Sequence, residues 1–186
     1  MSNSKSNKFG VLWITRTAVM IALLITLQWA TSGTQAFAGQ YITGTLVNCV
    51  LAVAVVLCGV SGGIVVAAVS PFFAFFLGIG PKLLQIIPCI ALGNVVYVVL
   101  LHLLLGQHGN KLWKNVLGVL LAAAAKFAAL YLAVVKVFIP VMGTALKAPQ
   151  IQTFTAMFSW PQLVTALLGG MLALLILPIL RKAIRK

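Results

Sequence analysis

The chain contains no aspartate and no glutamate. Lysine and arginine supply 13 of its 186 residues, and charged residues amount to 7% of the chain, against roughly a quarter in an ordinary soluble domain. General acid–base catalysis, carboxylate nucleophiles and most metal sites depend on the two missing side chains. The sequence therefore argues against an enzyme, and we expect no catalytic residue and no metal site.

The other chemically active side chains are also scarce. His102 and His108 are the two histidines, too few for a convincing active site, and Cys49, Cys58 and Cys89 lie in apolar runs without metal-ligand spacing. Buried, unreactive thiols explain these cysteines best, so no cofactor is expected. Proton- and sodium-coupled carriers usually place a carboxylate inside the membrane. If this protein moves a solute uphill, we expect the energy not to enter through its own side chains.

Apolar residues dominate what remains. They make up 62% of the chain, and the mean hydropathy is +1.16. Too little polar surface exists to cover a globule in water, so the surrounding solvent must be lipid. Nucleic-acid binding needs a basic face on a soluble fold, so no nucleic-acid partner is expected. The sequence predicts an all-α integral membrane protein that forms a single transmembrane domain over residues 1–186.

The apolar stretches predict a bundle of six transmembrane helices. The tight sequence GVSGG separates the second stretch from the third, and two prolines mark segment 140–160, for which an irregular loop is predicted. The predicted helices cover approximately residues 9–32, 41–59, 64–78, 81–105, 112–139 and 161–180, between a polar tail at 1–8 and a basic tail at 181–186.

The distribution of basic residues predicts the orientation. With six helices both termini lie on one side, and loops on the cytoplasmic side of a membrane are enriched in Lys and Arg. The opposite loops hold Lys82 and Lys147, while Lys126 and Lys136 lie within the fifth helix. The side of the termini collects the other nine basic residues, namely Lys5, Lys8, Arg16, Lys111, Lys114, Arg181, Lys182, Arg185 and Lys186. The protein is therefore expected in the cytoplasmic membrane, with both termini on the cytoplasmic side.

One feature offers an alternative for the first helix. A basic tail, an apolar run after Arg16 and the triplet Ala36-Phe37-Ala38 imitate a cleavable signal peptide. Cleavage would leave five helices and place the new N-terminus outside. An uncleaved first helix is the favoured interpretation.

Lys126 is the residue that most strongly indicates a function. Ala122, Lys126, Ala129 and Ala133 fall on one face of the fifth helix and form a groove of small residues with one recessed amine. The amine lies near the middle of the span, and the chain has no carboxylate to pair with it. It must face water, be neutral, meet an acid of a partner subunit, or meet an anionic ligand.

The remaining candidates have two interpretations each. Asn48 and Asn94 lie within apolar helices, where an amide either binds a neighbouring helix or contacts a ligand. Trp160 is most simply a residue of the interfacial aromatic belt. Ala18 and Ala22 form an A-x-x-x-A pair that permits close approach of another helix; on spacing alone, packing within the bundle is the simpler interpretation.

Taken together, these features resemble a known family. The stretch TRTAVMIALLI with Ala18 and Ala22, the Gly- and Gln-containing loop after it, and the stretch LGIGPKLLQIIPCIALGN are similar to the substrate-binding S components of energy-coupling factor (ECF) type vitamin transporters. The resemblance covers nearly the whole chain. It implies a high-affinity substrate-binding subunit of an ABC importer, energised by two separate ATPase subunits through a transmembrane T component. It also implies that the alanine face docks the T component, which requires an uncleaved first helix.

The resemblance further implies where a substrate would bind. S components hold their ligand near the outer face, between helices four to six, under the first and third outer loops. Transferred to this sequence, that pocket comprises Gln35, Gln40, Lys82, Gln85, Asn94, Lys126, Trp160 and Gln162. Because no carboxylate is available to meet a cation such as thiamine, a small anionic vitamin or micronutrient is expected. Two alternatives remain: a membrane assembly or structural subunit without its own ligand, and an autonomous oligomeric facilitator.

Overall fold

The computed structural model describes residues 3–33, 36–106 and 112–184, and these residues form helices and turns without a strand. A helix satisfies its backbone hydrogen bonds internally, which suits a chain surrounded by lipid. The longer helices are α1 (Asn3–Thr31), α2 (Ala36–Phe76), α3 (Ile87–Gly106), α4 (Leu112–Leu130) and α7 (Trp160–Ile184), and the shorter ones are α5 (Ile139–Met142) and α6 (Ala148–Met157).

Five segments within the described ranges are long and apolar enough to cross a membrane. They are Gly10–Thr31, Gly39–Phe76, Leu84–Leu105, Leu112–Met142 and Ala148–Leu180. The prediction of a multi-pass, all-α membrane protein is therefore confirmed. The count differs from the predicted six because the second and third predicted helices belong to one continuous element, α2.

α2 reverses direction at Gly59. This residue has φ 75° and ψ 179°, a conformation outside the helical region that glycine adopts readily. In a straight helix Asn48 and Ser70 would be about 33 Å apart at 1.5 Å per residue. Instead, Asn48 accepts a hydrogen bond from Lys126, and Ser70 accepts one from Asn94. Because Lys126 also donates to Asn94, Asn48 and Ser70 must lie close together. α2 is therefore a helical hairpin, and its turn occupies one residue rather than the predicted five, because residues 60–63 are already helical.

Two further boundaries depart from the prediction. The helix predicted from residue 81 begins at Ile87, after a 3-10 turn at Leu84–Ile86. Gly78 and Gly80 before it have positive φ angles of 72° and 82°, which a helix cannot accommodate. The helix predicted to end at 139 continues to Met142, through a π-helical segment at Tyr131–Phe138.

Segment 140–160 is not the irregular loop that was predicted. It contains most of α5, a 3-10 turn at Gly143–Ala145 and the ten-residue α6. Pro149 lies in the first turn of α6, where proline is well tolerated because the missing N–H would have no helical partner. Pro140 lies near the C-terminal end of the continuous helical stretch Leu112–Met142. Neither proline therefore lies in an irregular loop.

The bundle is centred on α2, which packs against α1, α3 and α7, while α4 packs between α3 and α7. α1 packs on α2 and remains largely exposed. Gly169 permits a close approach of α7 to α2, since a Cβ there would lie 2.5 Å from the Thr45 carbonyl oxygen and 2.6 Å from Asn48 Cβ. This close packing brings polar side chains of α2 and α7 within bonding distance.

Candidate functional site

Lys126 of α4 lies at the centre of a buried polar cluster. Its side chain is 3% exposed, and Nζ donates hydrogen bonds to Oδ1 of Asn48 at 2.5 Å and to Oδ1 of Asn94 at 2.7 Å. The ring of Tyr97 lies 5.4 Å from Nζ, a cation–π distance. All of these partners are neutral. They interact with the amine, but none of them carries a negative charge that would compensate an ammonium group.

The two asparagines are oriented by bonds on their other side. Asn48 Nδ2 donates to the Gly44 carbonyl oxygen at 2.8 Å and to Thr165 Oγ1 at 3.4 Å. Asn94 Nδ2 donates to Ser70 Oγ at 3.3 Å. Because the amide nitrogens are used in this way, both amide oxygens are directed toward Lys126. Side chains from both halves of α2 and from α3, α4 and α7 thus meet at one point.

A cavity of about 750 Å³ opens above this cluster. Its floor includes Lys126, Asn48 and Asn94, and its mouth lies between the ends of α1 and α6 and the starts of α2 and α7. Gln40 at the mouth precedes Asn48 by eight residues, which corresponds to about 12 Å of depth along a helix. The volume lies in the range of about 300–1,000 Å³ typical of small-molecule sites.

Glutamine side chains line the upper part of the cavity: Gln28, Gln40, Gln152 and Gln162. The Nε2 atoms of Gln40 and Gln162 both donate to the carbonyl oxygen of Met157, at 2.9 Å and 3.1 Å. These bonds tie α2 and α7 to the end of α6. They also leave the amide oxygens of Gln40 and Gln162 without a donor from the described residues.

Half of the residues expected at a ligand site line this cavity, namely Lys126, Asn94, Gln40 and Gln162. Lys82 and Gln85 are exposed and do not line it, because the chain there forms a turn before α3 begins. Trp160 is also off the cavity: it is 70% exposed and stacks on Phe127, with 6.3 Å between the ring centroids. Gln35 lies outside the described residues.

The alanine pair lies elsewhere, on the outer surface of α1. Ala18 and Ala22 are both exposed, so packing within the described part of the bundle does not explain them. Thr15 and Thr26 extend the same face, and their hydroxyls donate to the carbonyl oxygens one turn earlier at 2.9 Å. The result is a face of small side chains whose hydroxyls are already paired.

Several cavity residues were not identified from the sequence, among them Gln28, Ser70 and Thr165. Gln28 and Ser70 are single polar residues in apolar runs, ALLITLQWA and VAAVSPFF, so the same reasoning that selected Asn94 applies to them. For Asn48 the structure shows bonding to neighbouring helices together with a position on the cavity.

Comparison with known proteins gives one finding. The family model described as "ECF transporter, substrate-specific component" matches residues 13–181. The chain belongs to this family. Neither the comparison with curated proteins nor that with solved structures returns a significant match.

The family match confirms the resemblance drawn from the sequence. The chain is a substrate-specific membrane subunit of an ECF transporter, a class of transporter subunits rather than of enzymes. Membership implies a substrate and an energising module of T and ATPase subunits as partners. A buried, partly polar cavity inside an apolar helical bundle suits such a protein.

Proposed function

We propose that this substrate-specific component binds a small anionic vitamin or micronutrient with high affinity in the cavity above Lys126. Uptake is then driven by a T component and two ATPase subunits. The observation that carries this proposal is a buried amine on the cavity wall in a chain without any carboxylate.

The energetic argument concerns the uncompensated charge. A bare charge near the bilayer centre costs roughly 2.5–3.5 kcal/mol even on the lenient insertion scale. An ammonium has three N–H donors, and two of them go to Asn48 and Asn94. A carboxylate or phosphate in the cavity would accept the third and supply the missing counter-charge, in a charge-assisted bond stronger than a neutral one. A cationic ligand would be repelled.

The hairpin at Gly59 supports six membrane crossings. Counting the two halves of α2 separately places both termini on one side, where nine basic residues outnumber two on the other. By the positive-inside rule that side is cytoplasmic. α1 then begins inside and ends outside, and since its end borders the cavity mouth, the cavity opens to the exterior. This is the orientation an importer needs.

The exposed face of α1 is the proposed docking surface for the T component. Ala18 and Ala22 are exposed, and small residues let a partner helix approach closely in a membrane. On this view the substrate and the energising module occupy different faces of the protein.

Retention of a ligand tests the proposal directly. Native mass spectrometry of the gently purified protein should detect a bound small anion, and the same measurement on Lys126→Met should not. The purified protein alone should drive no concentrative uptake in proteoliposomes, because it has neither a nucleotide-binding loop nor a membrane carboxylate. Passive flux without ATPase partners would favour the autonomous facilitator, and unaltered function of Lys126→Met without any retained molecule would favour the assembly subunit.

A further inference from the structure

The described wall of the cavity carries a single basic side chain. Lys126 lines the floor, and no other lysine or arginine belongs to the described residues around the cavity. Lys82 and Lys147 are exposed and off the cavity, so water and salt screen their charges. Because the chain contains no acid, one positive charge is the most that the described wall presents to a ligand.

The amide N–H groups at the floor already have acceptors. Asn48 and Asn94 turn their oxygens toward Lys126, which can only donate, so their Nδ2 atoms point away from it. Nδ2 of Asn48 donates to the Gly44 carbonyl oxygen at 2.8 Å. Nδ2 of Asn94 donates to the Ala67 carbonyl oxygen at 3.5 Å. The second N–H of each amide goes to a hydroxyl oxygen, at 3.4 Å and 3.3 Å respectively, so neither amide has an N–H left for a ligand.

The hydroxyl groups at the floor are committed as well. Thr165 Oγ1 donates to the Gln162 carbonyl oxygen at 3.3 Å. Ser70 Oγ donates to the Ala67 carbonyl oxygen, also at 3.3 Å. Lys126 has three N–H groups and uses two of them. Among the described polar side chains at the floor, the third N–H of Lys126 is therefore the one donor that a ligand can use.

The charge and the free donor together distinguish between anionic groups. A carboxylate brings one negative charge and can accept the free N–H of Lys126 in a charge-assisted hydrogen bond. A phosphate monoester brings about −1.5 to −2 charges and three acceptor oxygens. At this floor its second charge would have no counter-charge and most of its oxygens no donor, and burial of an unpaired charge is strongly unfavourable. Two adjacent carboxylates on one ligand meet the same obstacle.

We infer, building on the proposed function, that the ligand group bound at the floor is a single carboxylate rather than a phosphate monoester or a pair of adjacent carboxylates. The protein then takes up a free carboxylic acid and rejects both its uncharged derivatives and its doubly charged relatives. An uncharged ligand leaves the charge of Lys126 without compensation, whereas a dianion brings one charge too many.

The first experiment compares ligands that differ in charge. Nicotinate, pantothenate and biotin are titrated into the purified wild-type protein by calorimetry. Each is paired with its uncharged amide and with a dianion that carries a second carboxylate on the neighbouring carbon, as quinolinate does for nicotinate. 4-Pyridoxate is compared in the same way with pyridoxine and pyridoxine 5′-phosphate. The tightest binder should be a monocarboxylate, and its two counterparts should each bind at least about tenfold more weakly, which corresponds to about 1.4 kcal/mol.

The second experiment changes the charge of the floor. Asn94→Asp keeps the size of the side chain and places a carboxylate where the amide oxygen accepts the N–H of Lys126 at 2.7 Å. The floor is then neutral, so the affinity of the preferred acid should fall about hundredfold and its amide should become the tighter ligand. Gln150→Glu is the matched control, because Gln150 is exposed and off the cavity. There the affinity should change by less than about threefold.

The outcomes separate this inference from the proposed function. If a dianion binds as tightly as the matching acid, or if folded Asn94→Asp still prefers the acid, the single-carboxylate site is refuted and the anionic site stands. If the uncharged compounds bind as tightly as the acids, or if no acid binds, the proposed function fails and this inference fails with it. A melting curve shows whether Asn94→Asp is folded, and the wild-type comparison decides the question if it is not.

Discussion

A soluble protein buries apolar side chains and exposes charged ones. The floor of the cavity and the outer face of α1 both reverse this pattern. At the floor a basic side chain, Lys126, is 3% exposed, while on α1 the small apolar residues Ala18 and Ala22 are exposed. The two reversals differ in their energetic cost. Exposed alanines cost nothing in lipid, whereas a buried charge is expensive wherever it lies. The floor therefore requires an explanation within this protein, whereas the exposed alanines need none and carry the proposed docking surface.

The largest effect is expected at the face of α1. Ala18→Trp combined with Ala22→Trp should abolish uptake in cells, because two indoles prevent close approach of a partner helix. Ligand affinity of the purified variant should stay nearly unchanged, because the two residues are exposed and do not line the cavity. Uptake and affinity are measured side by side. Equal loss of folding and binding would mean that this face packs internally.

The next effect is expected at the floor. Lys126→Met keeps the apolar stem and removes the donor, and a charge-assisted hydrogen bond contributes about 1.5–3 kcal/mol. We expect a ligand affinity roughly ten- to hundredfold weaker, while the stability of the empty protein loses the cost of a buried amine but gains that of the unpaired oxygens of Asn48 and Asn94. Calorimetric titration and a melting curve measure the two quantities.

A matched control is available on the same helical segment. Lys136 is exposed and off the cavity, so Lys136→Met should change neither affinity nor stability appreciably. Unchanged affinity combined with lower stability for Lys126→Met would instead make Lys126 a structural residue, and the inference of an anionic substrate would lose its main support.

A smaller effect is expected from the groups that solvate the amine. Asn94→Leu removes the oxygen that accepts a hydrogen bond from Lys126 and the N–H that donates one to Ser70. The loss of both bonds should destabilise the protein by about 1–3 kcal/mol. In the double variant with Lys126→Met the loss should be clearly smaller than in Asn94→Leu alone, because the charge that needed the oxygen is gone. Simple additivity in denaturation experiments would contradict the coupling.

The smallest effect is expected where the structure departs from the resemblance. Lys82 and Trp160 were expected at the ligand site but lie off the cavity. Lys82→Met and Trp160→Leu should therefore change ligand affinity by less than about threefold, under 1 kcal/mol. A tenfold loss in either variant would show that the loop or helix end carrying it closes over the ligand.

Much of the protein's character could be predicted from the sequence. Solvent preference, helix content and the approximate positions of the spans depend on local sums of hydropathy, which need no tertiary information. Lys126 could also be identified from the sequence, because its position in the middle of a span and the absence of carboxylates do not depend on the direction of its side chain. Pro149 misled the prediction of a loop, since proline occurs both in loops and in the first turn of helices.

The remainder depended on how the helices pack. In a soluble protein the apolar stripe of a helix identifies its inner face, but these helices are apolar nearly all round, so periodicity cannot show which side faces lipid. The sequence by itself determined a basic, helical, membrane-embedded chain with a mid-span amine, Lys126, that no side chain of the chain can neutralise. Only the tertiary structure decided that Gly59 folds α2 back on itself, that Asn48 and Asn94 receive the amine, and that Gln28 faces the same cavity. Each of these depends on contacts between residues far apart in the chain.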